Sequence, residues 1–326
     1  MAREIKQILV TGAVGQIGSE LTLALRERYG RENVVATGRK TEPSPALRDS
    51  GPFYFIDVGA RPSIEVVVKK HKIDTIVHMA AVLSAAGEKN PQAAWDININ
   101  GMINVLEVAR AFEMTQVFVP SSIAVFGPGT PLERTPNDTV LKPTTMYGVT
   151  KVAGELVCDY YARKFGLDVR GLRYPGIISS ETLPGGGTTD YAVEIYYKAV
   201  EQKRYTCFLR EDTRLPMMYM PDCIKATLDL MAAPPSKLKH HADFNVGAMS
   251  FSAGELAAEI KKHIPEFTCT YEPDFRQAIA DSWPRSVDDS TAREEWGWRP
   301  SYDIVAMTKD MLGRLRQRHA AGKLYG

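Results

Sequence analysis

The sequence predicts an α/β fold, a doubly wound parallel sheet followed by a smaller C-terminal lobe. Short Val/Ile-rich runs alternate with longer stretches of helical periodicity through the first half of the chain, as in parallel βαβ units. Glycines follow directly on the first of those runs, where a strand turns into a helix. After Tyr174 the alternation breaks into a glycine-rich loop and mixed short elements. The 326 residues suffice for one large or two small domains. The expected division is a sheet domain over 1–175 and a lobe over 176–326, with some later segments returning to the sheet domain.

Ile8-Leu9-Val10 reads as a buried strand, and Ile17, Leu21 and Leu25 as one face of the helix after it. Asn33–Thr37 and Phe53–Ile56 read as the second and third strands. Pro62–Lys70 is a helix opened by a proline. Asp74–His78 is the fourth strand, Pro91–Phe112 one long helix, and Val117–Val119 the fifth strand. Tyr147–Phe165 is a helix and Val169–Tyr174 the sixth strand. Beyond it, Leu183–Gly187 is a loop, Asp190–Gln202 a helix and Leu215–Met220 a strand whose methionines belong to a core. Helices over Asp222–Met231 and Asp303–Arg318 flank a linker at Pro234-Pro235-Ser236.

Composition excludes several classes of function. A net charge of +1 offers nothing to nucleic acid, and no apolar run has the length of a membrane span. Met1–Lys6 leads straight into the first strand, so no signal or transit peptide is expected. The reading is a soluble intracellular protein, in the mitochondrial matrix if eukaryotic and otherwise in the cytoplasm. Cys158, Cys207, Cys223 and Cys269 are far apart and read as structural thiols. The histidines lack metal-ligand spacing, so no metal is expected, and His240-His241 reads as solvated surface.

Gly12, Gly15 and Gly18 lie three apart between the first strand and the first helix. They permit a tight turn and close backbone approach to a pyrophosphate at a helix N-terminus, the sign of a dinucleotide-binding Rossmann domain. A packing turn is the plainer alternative. The acidic residue expected after the second strand is replaced by Thr37-Gly38-Arg39-Lys40. A carboxylate there would hold the ribose of NAD, whereas arginine accommodates the 2′-phosphate of NADP. Asp57-Val58 could hold the adenine edge, and Ala80 lets backbone lie close to a ribose.

Tyr147 and Lys151, four residues apart, share one helix face. A neighbouring ammonium and a positive nicotinamide ring are expected to lower the tyrosine pKa, making it an acid/base for hydride chemistry. Ser121-Ser122, at the end of the fifth strand, would hold the substrate oxygen.

With Ser122-Ile123-Ala124-Val125-Phe126-Gly127 and Leu172-Arg173-Tyr174-Pro175-Gly176, these motifs resemble the extended short-chain dehydrogenase/reductase family. Phe126 departs from the tyrosine of many members, and Asn98 falls where the family has its structural or active-site asparagine. Longer strings in the second half, Pro184-Gly185-Gly186-Gly187-Thr188-Thr189-Asp190-Tyr191-Ala192, Thr213–Tyr219 and Ser282-Trp283-Pro284, resemble the short-chain L-threonine 3-dehydrogenases.

The resemblance implies oxidation of L-threonine with NAD as cofactor, with Tyr147, Lys151 and Ser122 as the catalytic set. It assigns the cofactor to Gly12, Gly15, Gln16, Ile17, Gly18, Asp57, Val58, Ala80, Tyr147, Lys151 and Tyr174. It assigns the substrate to Ser84, Ser121, Gly186, Thr188, Thr189 and Trp283. Loop N–H groups over 186–189 would meet the carboxylate; no ammonium partner is evident. Trp283 closes the pocket or is a core aromatic, and Thr188 and Thr189 bind substrate or cap the next helix. The resemblance further implies a homodimer through helices 91–112 and 147–165. Two alternatives share the fold: a nucleotide-sugar epimerase or dehydratase, with Arg210, Arg214 and Arg285 clamping a diphosphate, and a non-catalytic dinucleotide-sensing protein.

Overall fold

A computed structural model of the protein describes residues 4–325, so the leader expectation falls partly on Met1–Arg3, outside the described residues. Strands β1 (Ile8–Thr11), β2 (Val34–Gly38), β3 (Phe53–Phe55), β4 (Thr75–His78) and β5 (Gln116–Phe118) come first. A two-residue strand, β6 (Ser121–Ser122), precedes β7 (Val169–Arg170). Six of these form one parallel sheet in the order β3-β2-β1-β4-β5-β7. The strand order reverses between β1 and β4, and ligands of such sheets bind in the crevice at that point.

Helices α1 (Gln16–Tyr29), α2 (Pro45–Asp49), α3 (Arg61–His71), α4 (Ser84–Lys89), α5 (Pro91–Trp95), α6 (Gly101–Ala111) and α7 (Met146–Phe165) complete the first half. α1 buries Leu21 and Leu25 against one sheet face, together with Val10, Ala36 and Phe118. α3, α6 and α7 bury Ile64, Val105 and Cys158 against the other, with Leu9 and Ile76. Helix α7 begins where the Thr145 hydroxyl accepts the Gly148 N–H at 3.1 Å, and ends at Gly166 in the left-handed region (φ 65°).

Three elements differ from expectation. The long helix over 91–112 is interrupted by a π-helical turn, Asp96–Asn100. The expected sixth strand splits at Gly171, whose N–H donates to the His241 carbonyl (3.0 Å). A side chain at Gly171 would collide with the Val119 carbonyl, so the chain slips past on glycine alone. The residues after the split leave β5 for a second small sheet. The serine pair follows rather than ends the fifth strand, because Val119-Pro120 intervenes before β6.

The remainder contains β8 (Leu172–Tyr174), β9 (Gly176–Ile178), β10 (Arg204–Cys207), β11 (Arg214–Tyr219), β12 (Phe244–Asn245), β13 (Met249–Ser252) and β14 (Thr268–Tyr271). Its helices are α8 (Tyr191–Gln202), α9 (Met220–Ala232), α10 (Ala253–His263), α11 (Arg276–Asp281), α12 (Ser290–Trp296) and α13 (Ile304–Ala320). β12 pairs with β8, which pairs with β6. Met217 and Met218 are fully buried in β11. A separate core joins α8, α10 and α13 through Tyr196, Ile260 and Met311.

All four cysteines are free thiols. His240 corrects its surface reading. Its side chain is 21% exposed and its Nδ1 lies 2.7 Å from Glu295 Oε1. Burial opposes its charge, but Glu295, Asp243 and Asp138 together raise its pKa. No described helix is long and apolar enough to cross a membrane.

Candidate active site

Two connected cavities share Gly12, Gly15, Met79 and Ala81, and form one cleft over the crevice between β1 and β4. The outer cavity, about 310 Å³, is lined by Gly38, Arg39, Lys40, Asp57, Val58 and Ala80. The inner one, about 220 Å³, reaches from the glycine turn to the C-terminal lobe and holds Ser122, Tyr147, Lys151 and Trp283.

The glycine turn fits a pyrophosphate. A side chain on Gly12 would meet the Ala80 N at 2.5 Å, so that glycine serves the close packing of turn against β4. A side chain on Gly15 would meet only the Gly12 carbonyl, at 3.4 Å. Its open side faces the cleft, where backbone can approach a phosphate closely. Gln16, lining the same cavity, has a buried Nε2 with no partner among the described residues. Such an orphaned donor suits an anionic ligand.

Tyr147, on the first turn of α7, is half-buried and faces the inner cavity. Ser122 sits opposite on β6; its Oγ caps the next turn by accepting the Ala124 N–H (3.2 Å), and its hydroxyl favours the Tyr147 phenolate. The lowered tyrosine pKa expected from sequence is not found in the protein alone. Burial pushes the Tyr147 phenol up to about 12, and only Ser122 opposes this. Lys151 Nζ instead donates to the Pro120 carbonyl at 2.7 Å and lies 5.5 Å from the centre of the Tyr147 ring. Burial lowers the Lys151 pKa to about 8.

Behind Lys151 lies a small chamber of about 20 Å³, lined by His78, Asn98, Ser121, Thr150 and Glu155 among others. That volume fits one water. Asn98, carried by the π-helical turn, accepts the Val82 N–H (2.7 Å) and donates to both the Val82 carbonyl (3.0 Å) and Thr150 (3.0 Å). It ties the loop after β4 to α7, and is thereby structural. His78 is fully interior; burial, then Lys151, lowers its pKa to about 3, so it is neutral and bonds Thr11 (2.8 Å).

The substrate residues fare unevenly. Ser84, Ser121, Thr188, Thr189 and Trp283 line the inner cavity. Ser84 Oγ and Thr188 Oγ1 are buried 3.4 Å apart, a pair of hydroxyls able to share one ligand group. Ser121 lines the cavity while its hydroxyl donates to Glu155 Oε1 (2.5 Å). Glu155 also takes two bonds of 2.8 Å from Arg173, a buried bidentate pair clamping α7 to β8. Gly186 is exposed and does not line the cavity. Its N–H and that of Gly187 both donate to Asp190 Oδ2 (2.9 and 2.7 Å), so these loop donors are already engaged. Trp283 lines the cavity and also packs into the lobe core.

Sequence reasoning missed Asp190, the only carboxylate among the described residues lining the inner cavity. It reads in sequence as a helix start, and only the fold turns it inward. Burial raises its pKa to about 6 against the Gly187 and Gly186 bonds. Of the distal dinucleotide set, Asp57 accepts the Gly59 N–H (2.9 Å) and faces Arg39 at 3.6 Å. Tyr174 lines the inner cavity and bonds Thr227. Arg210, Arg214 and Arg285 face Asp281, Glu255 and Glu133, and none lines either cavity.

The sequence profile of the "NAD dependent epimerase/dehydratase family" matches residues 8–247. An uncharacterized epimerase/dehydratase of Staphylococcus haemolyticus is 50% identical over 96% of this chain and 99% of its own length. The solved L-threonine dehydrogenase of Clostridium difficile is 52% identical over 97% of this chain and 99% of that one, with a TM-score of 0.94. A monomeric L-threonine 3-dehydrogenase from a metagenome is 50% identical over 95% and 99%, with a TM-score of 0.92. A nicotinamide dinucleotide cofactor and oxidoreductase chemistry accompany these relationships. The chain belongs to the NAD-dependent epimerase/dehydratase family, within the extended short-chain dehydrogenases/reductases.

Proposed function

We propose that this protein oxidises L-threonine to L-2-amino-3-oxobutanoate, a step of threonine breakdown, with hydride transfer to NAD. One observation carries the reading: Tyr147 faces a cavity whose single carboxylate among the described residues, Asp190, accompanies the hydroxyl pair Ser84 and Thr188. That set matches a small zwitterion bearing an alcohol. The similarity to solved L-threonine dehydrogenases supports it.

In this scheme Asp190 meets the ammonium, and Ser84 with Thr188 donates to the carboxylate. Ser122 holds the alcohol oxygen against Tyr147. When bound, the oxidised dinucleotide supplies the hydride acceptor and a positive ring near Tyr147. That charge and Lys151 offset the burial that otherwise keeps the phenol protonated. Tyr147 accepts the hydroxyl proton as the carbinol carbon loses hydride, and Trp283 keeps water from the closed site.

A nucleotide-sugar reading would require cations in the inner cavity beyond Lys151, and the three candidate arginines are paired elsewhere. A homodimer rests on one feature, the exposed Val149, Leu156 and Tyr160 on a single face of α7. The relative described as monomeric speaks against a site that depends on it. Incubation with L-threonine and NAD should raise the near-ultraviolet absorbance of reduced nicotinamide. A protein that binds the dinucleotide but gives no threonine-dependent signal would refute the reading.

A further inference from the structure

The outer cavity departs from what an NAD-specific adenosine site requires. Such a site presents a carboxylate to the ribose hydroxyls from the end of the second strand. Here that position is Gly38, which offers no carboxylate, and a side chain there would be crowded. A side chain on Gly38 would meet Phe53 and Val14, each at 3.2 Å. The next residues, Arg39, Lys40 and Thr41, line the cavity mouth and are exposed. The one carboxylate lining the cavity is Asp57, on the neighbouring strand end. One of its oxygens is taken by the Gly59 N–H and the other faces Arg39 across 3.6 Å. That separation is an ion pair without a hydrogen bond, and both side chains are about half exposed (51% and 49%). Lys40 has no ion-pair partner among the described residues.

We propose that the Arg39/Lys40 end of this cleft binds the 2′-phosphate of adenosine, so that NADP is held at least as tightly as NAD. The inference rests on the dinucleotide reading of the cleft but not on threonine as substrate. Two cations stand against one carboxylate already shared with a backbone N–H. A dianionic phosphate offers Arg39 the short charge-assisted bonds that Asp57 does not give it. A ribose hydroxyl, by contrast, finds no free acceptor at Gly38.

The test compares adenosine 2′,5′-bisphosphate with 5′-AMP, which differ only in the 2′-phosphate, by calorimetry on the full chain. NADH and NADPH serve as whole-ligand controls. The bisphosphate should bind about tenfold to a hundredfold more tightly, the range expected for bonds to a charged partner. Arg39→Ala should remove most of that ratio, weakening the bisphosphate far more than 5′-AMP, and Lys40→Ala should remove a smaller part. Added salt should weaken the bisphosphate more than 5′-AMP. Both side chains are exposed, so the variants should melt with the wild type. Equal or tighter binding of 5′-AMP, or a ratio untouched by Arg39→Ala, overturns the proposal and leaves the dinucleotide reading intact. Failure of both fragments and both dinucleotides to bind overturns the two together.

Discussion

At the outer end of the cleft, Arg39 and Asp57 face each other across 3.6 Å, half in water. At the inner end, Tyr147 and Lys151 share a helix face, yet the ammonium turns to the Pro120 carbonyl. Solvent decides the difference. An exposed pair of this kind is worth about 0–1 kcal/mol and is easily exchanged for a ligand phosphate. In the interior, desolvation dominates: it moves the Tyr147 phenol up to about 12, the Lys151 ammonium down to about 8 and the Asp190 carboxyl up to about 6. On the proposed reading, the inner end is an acid/base system held out of balance until charge arrives with ligands. The outer end, on the same reading, is a docking surface that needs no such correction.

The largest expected effect tests the inner end at its centre. Tyr147→Phe should lower turnover by about 10²–10⁴-fold, the range for a positioned acid/base group. Dinucleotide affinity should change little, because the hydroxyl serves proton transfer. A variant that kept most of its activity would move the proton acceptor elsewhere.

Next comes the frame beneath it. Glu155→Ala strands the buried Arg173 guanidinium and should cost about 3–5 kcal/mol in denaturant unfolding, as for a broken buried pair. An unchanged midpoint would mean that the clamp between α7 and β8 contributes nothing.

Asp190→Asn should then raise the threonine KM by about tenfold to a hundredfold, the range for losing a charged partner, with a smaller change in kcat. The wild type adds a sign. Because burial raises the Asp190 pKa to about 6, the carboxyl neutralises as pH falls through that value. The threonine KM should therefore climb below about pH 6 in the wild type and stay flatter in the variant. A parallel climb in both would remove Asp190 from ammonium binding.

Where the two ends meet, the smallest of these effects on the protein itself is expected. Gly15 has ordinary backbone angles (φ −77°, ψ 171°) and an open side toward the cleft. Gly15→Ala should thus fold and melt normally while losing dinucleotide affinity. Unaltered affinity for NADH and NADPH would place the pyrophosphate elsewhere.

Much of the frame was readable in the sequence because its signals are local. Val/Ile runs gave the sheet, Gly12, Gly15 and Gly18 the turn, and Tyr147 with Lys151 a shared helix face. What escaped depends on contacts distant in the chain. The break at Gly171 is forced by Val119 and Ala242, and the π-helical turn at Asp96–Asn100 carries Asn98 to Val82 and Thr150. Ser121 reads like Ser122 until Glu155 takes its hydroxyl from 34 positions away. The raised Tyr147 pKa of the protein without dinucleotide has the same kind of origin. Spacing reveals the neighbouring ammonium but not the burial that outweighs it.

The deciding measurement is threonine-dependent dinucleotide reduction by the wild type and Tyr147→Phe, each first shown to bind the reduced dinucleotide. Robust reduction by the wild type and near silence from a variant that still binds is the predicted result. Dinucleotide binding by both, with no threonine-dependent reduction by the wild type, would contradict it.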